Sequence, residues 1–375
     1  MYDTILSPLT LGGVTLKNRV IFAPTTLGLR GEALADKLQR IASGGCAMII
    51  LGDVPVGRHG ALSLHSRKGF AQYQQLCQRL HAEGCLVCAQ LHQSDSNWKA
   101  MVKYVPGVLT KKITMADLRP LLNAQVGKLV TDMPARKVRA ITASFGEAAA
   151  LAKGAGFDMI QVHGDRMCGS FSSAIFNQRT DEYGGSAINR ARFAVEAVTA
   201  VHQAVPDMPI DYKLAVRQEE PHYGNAGVLL AELEVFVPLL EAAGVTSFHV
   251  TLADHGQLTD TIPPKNHPAF AQEGCFLPYG DQVRRYTTLP ICGVGGLTDP
   301  DFVEAQLASG RIDCVAMSRQ LLADPDWPRK LAEGRANAVR RCVRCNQKCL
   351  GGLQKHEGVH CIYDAPTDRH QSGDV

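Results

Sequence analysis

Four cysteines near the C-terminus have the spacing of a metal-binding cluster. Cys342, Cys345 and Cys349 form a C-x2-C-x3-C run, and Cys361 follows in a C-x11-C spacing. Three thiolates from one short loop and a fourth from a separate turn supply the four ligands that a [4Fe-4S] cluster requires. A zinc site is the alternative, but four-cysteine zinc sites typically pair two C-x2-C units. The three-plus-one grouping therefore favours an iron–sulfur cluster.

The composition indicates a folded protein with redox or metal chemistry. Hydrophobic residues make up 45% and charged residues 20% of the 375 residues, enough for a sizeable core. Lys and Arg exceed Asp and Glu by only 39 − 36 = 3, which argues against nucleic acid as the main partner. No apolar run approaches the ~20 residues of a membrane span, and no signal peptide is recognisable. Twelve cysteines without an export signal predict a cytoplasmic location.

Short apolar runs alternate with longer amphipathic stretches along the chain. Strands of this kind favour parallel pairing with both faces covered. Eight such strand–helix units over this length predict a (β/α)8 TIM barrel, an α/β fold, more than an open doubly wound sheet. A further pair of short runs around Gly12-Gly13 predicts a hairpin that closes the bottom of the barrel. The eight runs are Val20–Ala23, Ala47–Leu51, Leu86–Leu91, Phe157–His163, Ile210–Val216, Ser247–Leu252, Leu289–Gly293 and Ile312–Met317.

Two regions interrupt this alternation. Residues 94–132 form a long insertion after the third strand, predicted to be irregular and to act as a lid on the substrate face of the barrel. The C-terminal region is dense in Cys, Arg and Lys and ends in a polar stretch that we expect to be frayed. We therefore predict a barrel over residues 1–335 and a Cys-rich iron–sulfur segment, packed on the barrel, over residues 336–375.

Phosphate-binding groups follow the seventh and eighth predicted strands, where barrel enzymes hold phosphates. Gly295 and Gly296 follow strand seven, and the N–H groups of a glycine-rich loop can approach a phosphate closely. Ser318 and Arg319 follow strand eight and add a hydroxyl and a guanidinium. A glycine pair alone would indicate only a tight turn, so the phosphate interpretation depends on this position in the barrel.

Four segments, in order and at barrel spacing, resemble the old yellow enzyme family. They are Leu16–Pro24, Ala89–His92, Asn177–Gly185 and Val294–Gly296. With the four-cysteine tail, the chain is most similar to the iron–sulfur branch of that family, which includes 2,4-dienoyl-CoA reductases, enoate reductases and trimethylamine dehydrogenase. The resemblance implies FMN at the mouth of the barrel.

The resemblance also implies a role for each flavin-binding residue. Lys213, at the end of strand five, matches the cation beside the N1/O2 edge of the flavin, where a positive charge tunes the cofactor. Gln90 matches the amide at the pyrimidine end. The remaining flavin-binding residues are Pro24, Thr25 and Thr26 near N5 and O4, and Gly295, Gly296, Ser318 and Arg319 around the phosphate.

The segment after strand four departs from the family pattern. Family members place a tyrosine there that donates a proton to the substrate, but this chain has His163-Gly164-Asp165-Arg166 and no tyrosine at the matching place. The quartet resembles the bilirubin reductase clade, which implies reduction of carbon–carbon double bonds, from bilirubin to urobilinogen. An ordinary ene-reductase site is therefore in doubt.

His163, Asp165 and Arg166 are accordingly the predicted catalytic residues. A guanidinium beside a conjugated substrate stabilises the negative charge that develops on it. Arg166 is a poor proton donor because its pKa lies above about 12, so Asp165, if burial keeps it protonated, or a water that it positions would supply the proton. The alternative is that Asp165 and Arg166 form a salt bridge that only shapes the loop.

The two carboxylates of a tetrapyrrole and the electron donor both require cations on the surface. Around the substrate pocket the candidates are Lys99, Lys103, Lys111, Lys112 and His255. No G-x-G-x-x-G motif follows a strand, and the chain stops soon after Cys361, so we expect a separate, flavodoxin-like electron donor. A basic collar near the cysteines would steer it, although such charge also serves solubility. The collar comprises Arg335, Arg340, Arg341, Arg344, Lys348 and Lys355.

Several functions stay open on the sequence alone. The favoured one is reduction of a bilirubin-like tetrapyrrole by FMN and a [4Fe-4S] cluster. The alternatives are an enoate or dienoyl-CoA ene-reductase, an amine dehydrogenase and a non-catalytic flavin and iron–sulfur electron carrier. Cluster-containing relatives often self-associate, so a homo-oligomer also stays open.

Overall fold

A computed structural model shows eight parallel strands that close into a barrel. It describes residues 2–58, 63–96, 102–110, 112–113, 115–219, 224–254 and 257–364. The eight strands follow one another around the barrel in chain order, so each strand pairs with the next one along the chain and the last pairs with the first. The predicted (β/α)8 barrel is therefore confirmed.

Each of the eight barrel strands overlaps the run that was predicted for it. β3 to β6 are Val20–Phe22, Met48–Pro55, Leu86–His92 and Met159–His163, and β7 to β10 are Ile210–Arg217, Ser247–Ala253, Ile291–Gly293 and Cys314–Met317. Most residues of these strands are buried on both faces, because helices cover the outside and side chains fill the inside.

The predicted hairpin closes the bottom of the barrel. β1, Leu9–Leu11, pairs antiparallel with β2, Val14–Leu16, through the turn at Gly12 and Gly13. Leu11 and Leu16 are buried against residues from the amino ends of the barrel strands, including Met48. Because the bottom is closed by apolar packing, ligand access lies at the opposite, carboxyl-end face.

Helices follow every barrel strand and form the outer layer. The main ones are Gly31–Ser43, Arg67–His81, Ala135–Gly154, Ala187–Ala204, Leu233–Ala243, Leu277–Val283, Pro300–Ala308 and Trp327–Ala332. Shorter helices are Asp3–Leu6, Val105–Leu109, Arg166–Ser172, Leu258–Thr261, Arg319–Ala323 and Leu350–Gln354, with single 3-10 turns at Val102–Tyr104, Leu230–Glu232, Arg284–Tyr286 and Ala336–Ala338. No helix in the described part of the chain is long and apolar enough to cross a bilayer.

The insertion after β5 is mostly helical where it is described, so the prediction of irregular structure was wrong, while the lid role stays a prediction. Its main element is the helix Met115–Thr131. This helix is difficult to predict from the sequence because Pro120 lies inside it and its apolar residues are weakly segregated to one face. The buried guanidinium of Arg179 donates to the carbonyls of Val130 at 2.7 Å and Met133 at 2.6 Å. The C-terminal end of the helix is thereby fixed to the barrel.

The segment that carries the cysteines packs along the rim of the barrel. The side chain of Gln320, in the short helix after β10, donates to the carbonyl of Arg340 at 3.0 Å and accepts from the N–H of Cys342 at 2.8 Å. Farther along, the N–H of Val359 donates to the carbonyl of Leu27 at 2.8 Å. Both contacts fix the cysteine-bearing segment to loops at the carboxyl-end face.

Candidate active site at the barrel mouth

Polar side chains occupy two successive levels of the inner wall of the barrel. The lower level lies in register across β5 to β8 and consists of Gln90, Gln161, Asp211 and Ser247. The upper level lies two residues nearer the carboxyl end of each strand and consists of His92, His163, Lys213 and His249. Because alternate residues of a strand face the same side, both levels face the interior and the upper one lines the mouth.

The lower level is one continuous chain of hydrogen bonds. Gln90 Nε2 donates to Gln161 Oε1 at 2.6 Å, and Gln161 Nε2 donates to Asp211 Oδ2 at 2.5 Å. The hydroxyl of Ser247 donates to Asp211 Oδ1 at 2.6 Å. All four residues are buried. Burial raises the pKa of Asp211 to about 6, although the two donors and Lys213 oppose the rise.

The upper level places one lysine between two neutral histidines. Burial lowers the pKa of Lys213, opposed by Asp165 and Asp53. Burial, and then Lys213, lowers the pKa of His163 well below its usual value and that of His249 to about 3. Within the described part of the chain, Nδ1 of each histidine is buried without a hydrogen-bond partner. Unpaired buried nitrogens at a cavity wall are suited to a bound ligand.

The predicted catalytic loop lies directly over β7. The N–H of Gly164 donates to the carbonyl of Lys213 at 3.1 Å. A side chain at Gly164 would overlap that carbonyl and the ring of Tyr212, so only glycine lets the loop approach so closely. Gly164 is therefore required for packing, next to His163, which is predicted to take part in the chemistry.

Arg166 lies among three carboxylates at the cavity wall. Burial opposes its charge, but Asp165, Asp95 and Asp53 outweigh this effect and raise the pKa of the guanidinium. Asp95 is itself buried and accepts from the hydroxyl of Ser170 at 2.8 Å. The cavity lining therefore keeps a permanent cation beside several carboxylates, Asp165, Asp95 and Asp53.

Asp53 and His92 extend this group and were not predicted as site residues. Asp53, His92 and His163 each offer a ligand or proton-carrying atom, and these atoms lie within 4.8 Å of one another. Asp53 accepts a hydrogen bond from the Thr26 hydroxyl, and its positive φ of 58° marks a constrained backbone. Burial lowers the pKa of His92, opposed by Asp53. The sequence signal for these residues is a polar residue at alternate positions of an otherwise apolar strand end, as in Gln90 and His92.

A cavity of about 930 Å³ opens over both levels. Its lining brings together the predicted catalytic residues His163, Asp165 and Arg166 with the predicted flavin-binding residues Pro24, Thr25, Thr26, Gln90, Lys213, Gly295, Gly296, Ser318 and Arg319. The Thr25 hydroxyl lies 2.8 Å from that of Ser318, so two residues predicted at different parts of the flavin are neighbours. The predicted rim residues Lys99, Lys111 and His255 lie outside the described residues, and Lys112 is exposed.

The cavity fits FMN at its phosphate end and along its wall. Gly295 and Gly296 both have positive φ, 113° and 69°. A Cβ at Gly296 would overlap the guanidinium of Arg344, so the loop presents bare backbone to the cavity. Together with half-buried Lys213 and the unpaired Nδ1 atoms of His163 and His249, this donor set is suited to an anionic, heterocyclic ligand.

Arg319 lies between the cavity and the four cysteines. Its guanidinium donates to the carbonyl of Pro263 at 2.9 Å and to Asn346 Oδ1 at 2.6 Å. Burial lowers the pKa of Arg319, opposed by Cys342 and Cys349. Arg319 thus contacts the cysteine loop in addition to lining the cavity, which the sequence did not indicate.

The four cysteines of the tail line one small pocket. Cys342, Cys345, Cys349 and Cys361 are all half-buried and unbridged there. Burial raises the pKa of Cys342 and of Cys361, while Arg319 opposes the rise at Cys342. Among the described residues, no three of these sulfur atoms lie within 4.8 Å of one another. Sulfurs around one tetrahedral zinc ion lie closer, about 3.8 Å apart for zinc–sulfur bonds of 2.3 Å.

The basic collar is smaller than predicted, because Arg344 is buried. With φ of 50°, its backbone turns the side chain inward, where the guanidinium donates to the carbonyls of Phe270, Ala271 and Gln272. Arg341 is exposed but pairs with Asp299 at 2.9 Å. The other members, Arg335, Arg340, Lys348 and Lys355, are exposed.

Comparison with known proteins identifies close relatives of the whole chain. The model of the NADH:flavin oxidoreductase / NADH oxidase family matches residues 4–338. Bilirubin reductase of Clostridium symbiosum is 60% identical over 366 residues, covering 97% of this chain and 98% of that protein. Bilirubin reductase of Mediterraneibacter gnavus is 34% identical over 371 residues, covering 96% of this chain but 56% of that protein.

Two solved structures with the same fold are longer than this chain. A 2-naphthoyl-CoA reductase complex matches with a TM-score of 0.80 and 22% identity, covering 98% of this chain and 58% of that one. Histamine dehydrogenase from Rhizobium sp. 4-9 matches with a TM-score of 0.79 and 24% identity, covering 99% and 53%. The chain therefore spans nearly all of the Clostridium symbiosum relative and little more than half of the other proteins named here.

Proposed function

The chain belongs to the NADH:flavin oxidoreductase / NADH oxidase family, and we propose that it is an FMN-dependent reductase of carbon–carbon double bonds in bilirubin or a similar linear tetrapyrrole. The observation that carries this proposal is the arginine among carboxylates at the cavity wall, where the old yellow enzyme pattern has a tyrosine. The Clostridium symbiosum relative, named for bilirubin reduction and matched along nearly its whole length, supports the same substrate class.

Each side chain at the mouth has a distinct proposed role. Bound FMN supplies the two-electron reducing chemistry. Arg166 stabilises the negative charge that develops on the lactam and pyrrole groups of the substrate, because a preorganised cation in a water-poor site interacts strongly with such charge. Neutral His163 offers Nδ1 to a polar group of the substrate. Asp165, or a water that it positions, delivers the proton to carbon.

The proposed flavin-binding roles follow from the family resemblance, and the cavity supports them because its lining brings these residues together. Lys213 would hold a positive charge at the N1/O2 edge of the flavin, and Gln90 would contact its pyrimidine end. Thr25 and Thr26 lie on the opposite wall with Pro24. The phosphate is held by the N–H groups of Gly295 and Gly296, with Ser318 and Arg319 beside them. Burial lowers the pKa of Lys213, and the neighbouring carboxylates of Asp165 and Asp53 oppose this effect and so favour its charged form.

We assign the four cysteines of the segment 336–375 to a [4Fe-4S] cluster through which electrons arrive. The three-plus-one spacing favours a cluster over a single zinc ion, and the four cysteines line one small pocket. Each double bond that is reduced takes up two electrons and two protons. A separate low-potential donor with an acidic surface would deliver the electrons one at a time at the exposed cations Arg340 and Lys348.

The proposal is tested by anaerobic bleaching. Full-length protein carrying flavin and iron is reduced with dithionite, freed of excess reductant and mixed with bilirubin. We expect the pigment absorbance to fall while the flavin reoxidises, and the product mass to rise by two hydrogens per double bond. Unreduced protein is the control for simple pigment binding.

Reduction of a cinnamate or a dienoyl thioester with bilirubin unchanged would identify an ene-reductase, and oxidation of an amine would identify a dehydrogenase. Inactivity on all three would indicate an electron carrier.

A further inference from the structure

The hydrogen-bond chain below the cavity has only one consistent direction while Asp211 is ionised. A carboxylate can only accept hydrogen bonds. Ser247 occupies one oxygen of Asp211, and the side chain of Gln161 must therefore turn its NH2 group to the other. This leaves Oε1 of Gln161 facing Gln90, which must in turn donate through its own NH2 group.

The direction of the chain decides which atom of Gln90 faces the cavity. With Nε2 committed to Gln161, Oε1 of Gln90 faces the mouth, where it lies 3.4 Å from the N–H of Asp53. A carbonyl oxygen at this point accepts from an N–H donor, and an amide turned the other way would reject one. The four residues are buried, so water cannot easily substitute for a wrongly oriented partner.

We propose that Asp211 and Gln161 are positioning residues that hold Gln90 as a hydrogen-bond acceptor for the N3–H group of the flavin. This inference rests on the flavin of the proposed function but not on its substrate. It assigns a role to two buried polar residues that contact neither the cavity nor the cysteines. It also explains why an ionisable group is kept in a layer that barrel enzymes usually fill with apolar side chains.

The charge of Asp211 is set by few neighbours. The titratable groups facing it are Lys213 on its own strand and the thiols of Cys88 and Cys292 on the surrounding strands. With a pKa of about 6, Asp211 is mostly ionised above neutral pH. Below pH 6 it becomes protonated and can donate, so the chain loses its single direction.

Flavin exchange tests the proposal without any turnover. Full-length holoprotein is equilibrated with mixtures of FMN and 3-methyl-FMN, in which a methyl group replaces the N3 hydrogen, and the bound ratio is measured after desalting. We expect the wild type to prefer FMN by about tenfold at pH 7.5, the size of one well-made hydrogen bond. The preference should fall below pH 6, and because both flavins carry the same phosphate, titration of the phosphate cancels in the ratio.

The variants locate the cause of that preference. Asp211→Asn, which is nearly isosteric, and Gln161→Met should both reduce the preference to about twofold or less. Ser247→Ala leaves Gln161 and Gln90 in place and should keep most of it. No preference in the wild type, or full preference in both Asp211→Asn and Gln161→Met, would overturn the proposal. Failure of bilirubin as a substrate would leave these ratios unchanged, so the two failures are distinguishable.

Discussion

The guanidinium of Arg319 donates to Oδ1 of Asn346 at 2.6 Å and joins the end of the last barrel strand to the cysteine loop. Asn346 is held from its other side as well, because its Nδ2 donates to the carbonyl of Ile262 at 2.7 Å. The cavity and the cysteine pocket thus share one half-buried cation, Arg319. A substitution that disturbs either site should therefore also alter ligand binding at the other site.

Arg319→Met should weaken both sites at once. The variant loses a cation beside the cavity and the hydrogen bond that holds Asn346, so we expect FMN affinity to fall at least ~10-fold, the effect of losing a hydrogen bond to a charged group, and iron content to fall in parallel. Flavin fluorescence and iron analysis of the purified protein give both values. Arg341→Met is the control, because Arg341 is exposed and pairs with Asp299 outside the cavity. Loss of flavin with full iron content would show that the two sites are independent.

Gly296→Ala should release FMN through a steric conflict. Its φ of 69° disfavours any side chain, and a Cβ would also overlap the guanidinium of Arg344. Gly310 has nearly the same φ, 72°, but open space where a Cβ would lie, so Gly310→Ala isolates the backbone effect. We expect both variants to lose about 1 kcal/mol of stability and only Gly296→Ala to lose flavin affinity. Equal flavin content in the two would argue against a phosphate site at this loop.

The fold was predictable because each barrel strand is a short apolar run with its own turn signals. Each of the eight runs can be recognised from the residues within it, and closure into a barrel is expected from the number of strand–helix units. The two polar levels were partly visible, since Gln90 and Lys213 interrupt apolar strands. Their partners Gln161 and Asp211 were not predicted, because a hydrogen bond between neighbouring strands depends on register, which the sequence does not display.

The charge distribution was less predictable than the fold. Arg344 lies in a run rich in basic residues, yet it is buried because its left-handed backbone directs it to carbonyls that are more than seventy residues away in the chain. The helix Met115–Thr131 was missed for a related reason. Its stability depends on the tertiary contact with Arg179 and not on a strong local pattern.

Asp211→Asn should change the dependence of stability on pH. The pKa of Asp211 is about 6 in the folded protein and about 4 in an unfolded chain, so it is raised by folding. The protonated carboxyl makes its full contribution to the free energy of unfolding below pH 4, and this contribution is lost as the pH rises through 6. Ionisation then costs about 3 kcal/mol by pH 7.5. The melting temperature of the variant relative to the wild type should therefore rise between pH 5 and pH 7.5; a constant difference would contradict the raised pKa.

Cys349→Ala should abolish the iron–sulfur centre and leave the flavin in place. Removing one of four thiolate ligands leaves an incomplete set for a [4Fe-4S] cluster. Iron and acid-labile sulfide should fall to background, while the flavin content stays near that of the wild type. Cys77→Ala is the matched control, because Cys77 is buried in the outer core far from the tail. Stoichiometric zinc in the wild type, without iron, would replace the cluster by a zinc site.

Arg166→Ala should separate catalysis from flavin binding. The guanidinium lies near Asp165, Asp95 and Asp53, and its removal leaves Lys213 beside Asp165 and Asp53 to offset their charge. We expect FMN to stay bound and turnover of bilirubin to fall at least ~10²-fold, the lower range for groups that stabilise charge in a transition state. Arg166→Lys keeps the charge without the planar fork and should recover part of the rate. The single-turnover rate of flavin reoxidation by bilirubin measures this step apart from electron delivery. If Arg166→Ala lost the flavin, Arg166 would be a structural residue of the cavity wall; near-normal turnover with flavin bound would remove it from the mechanism.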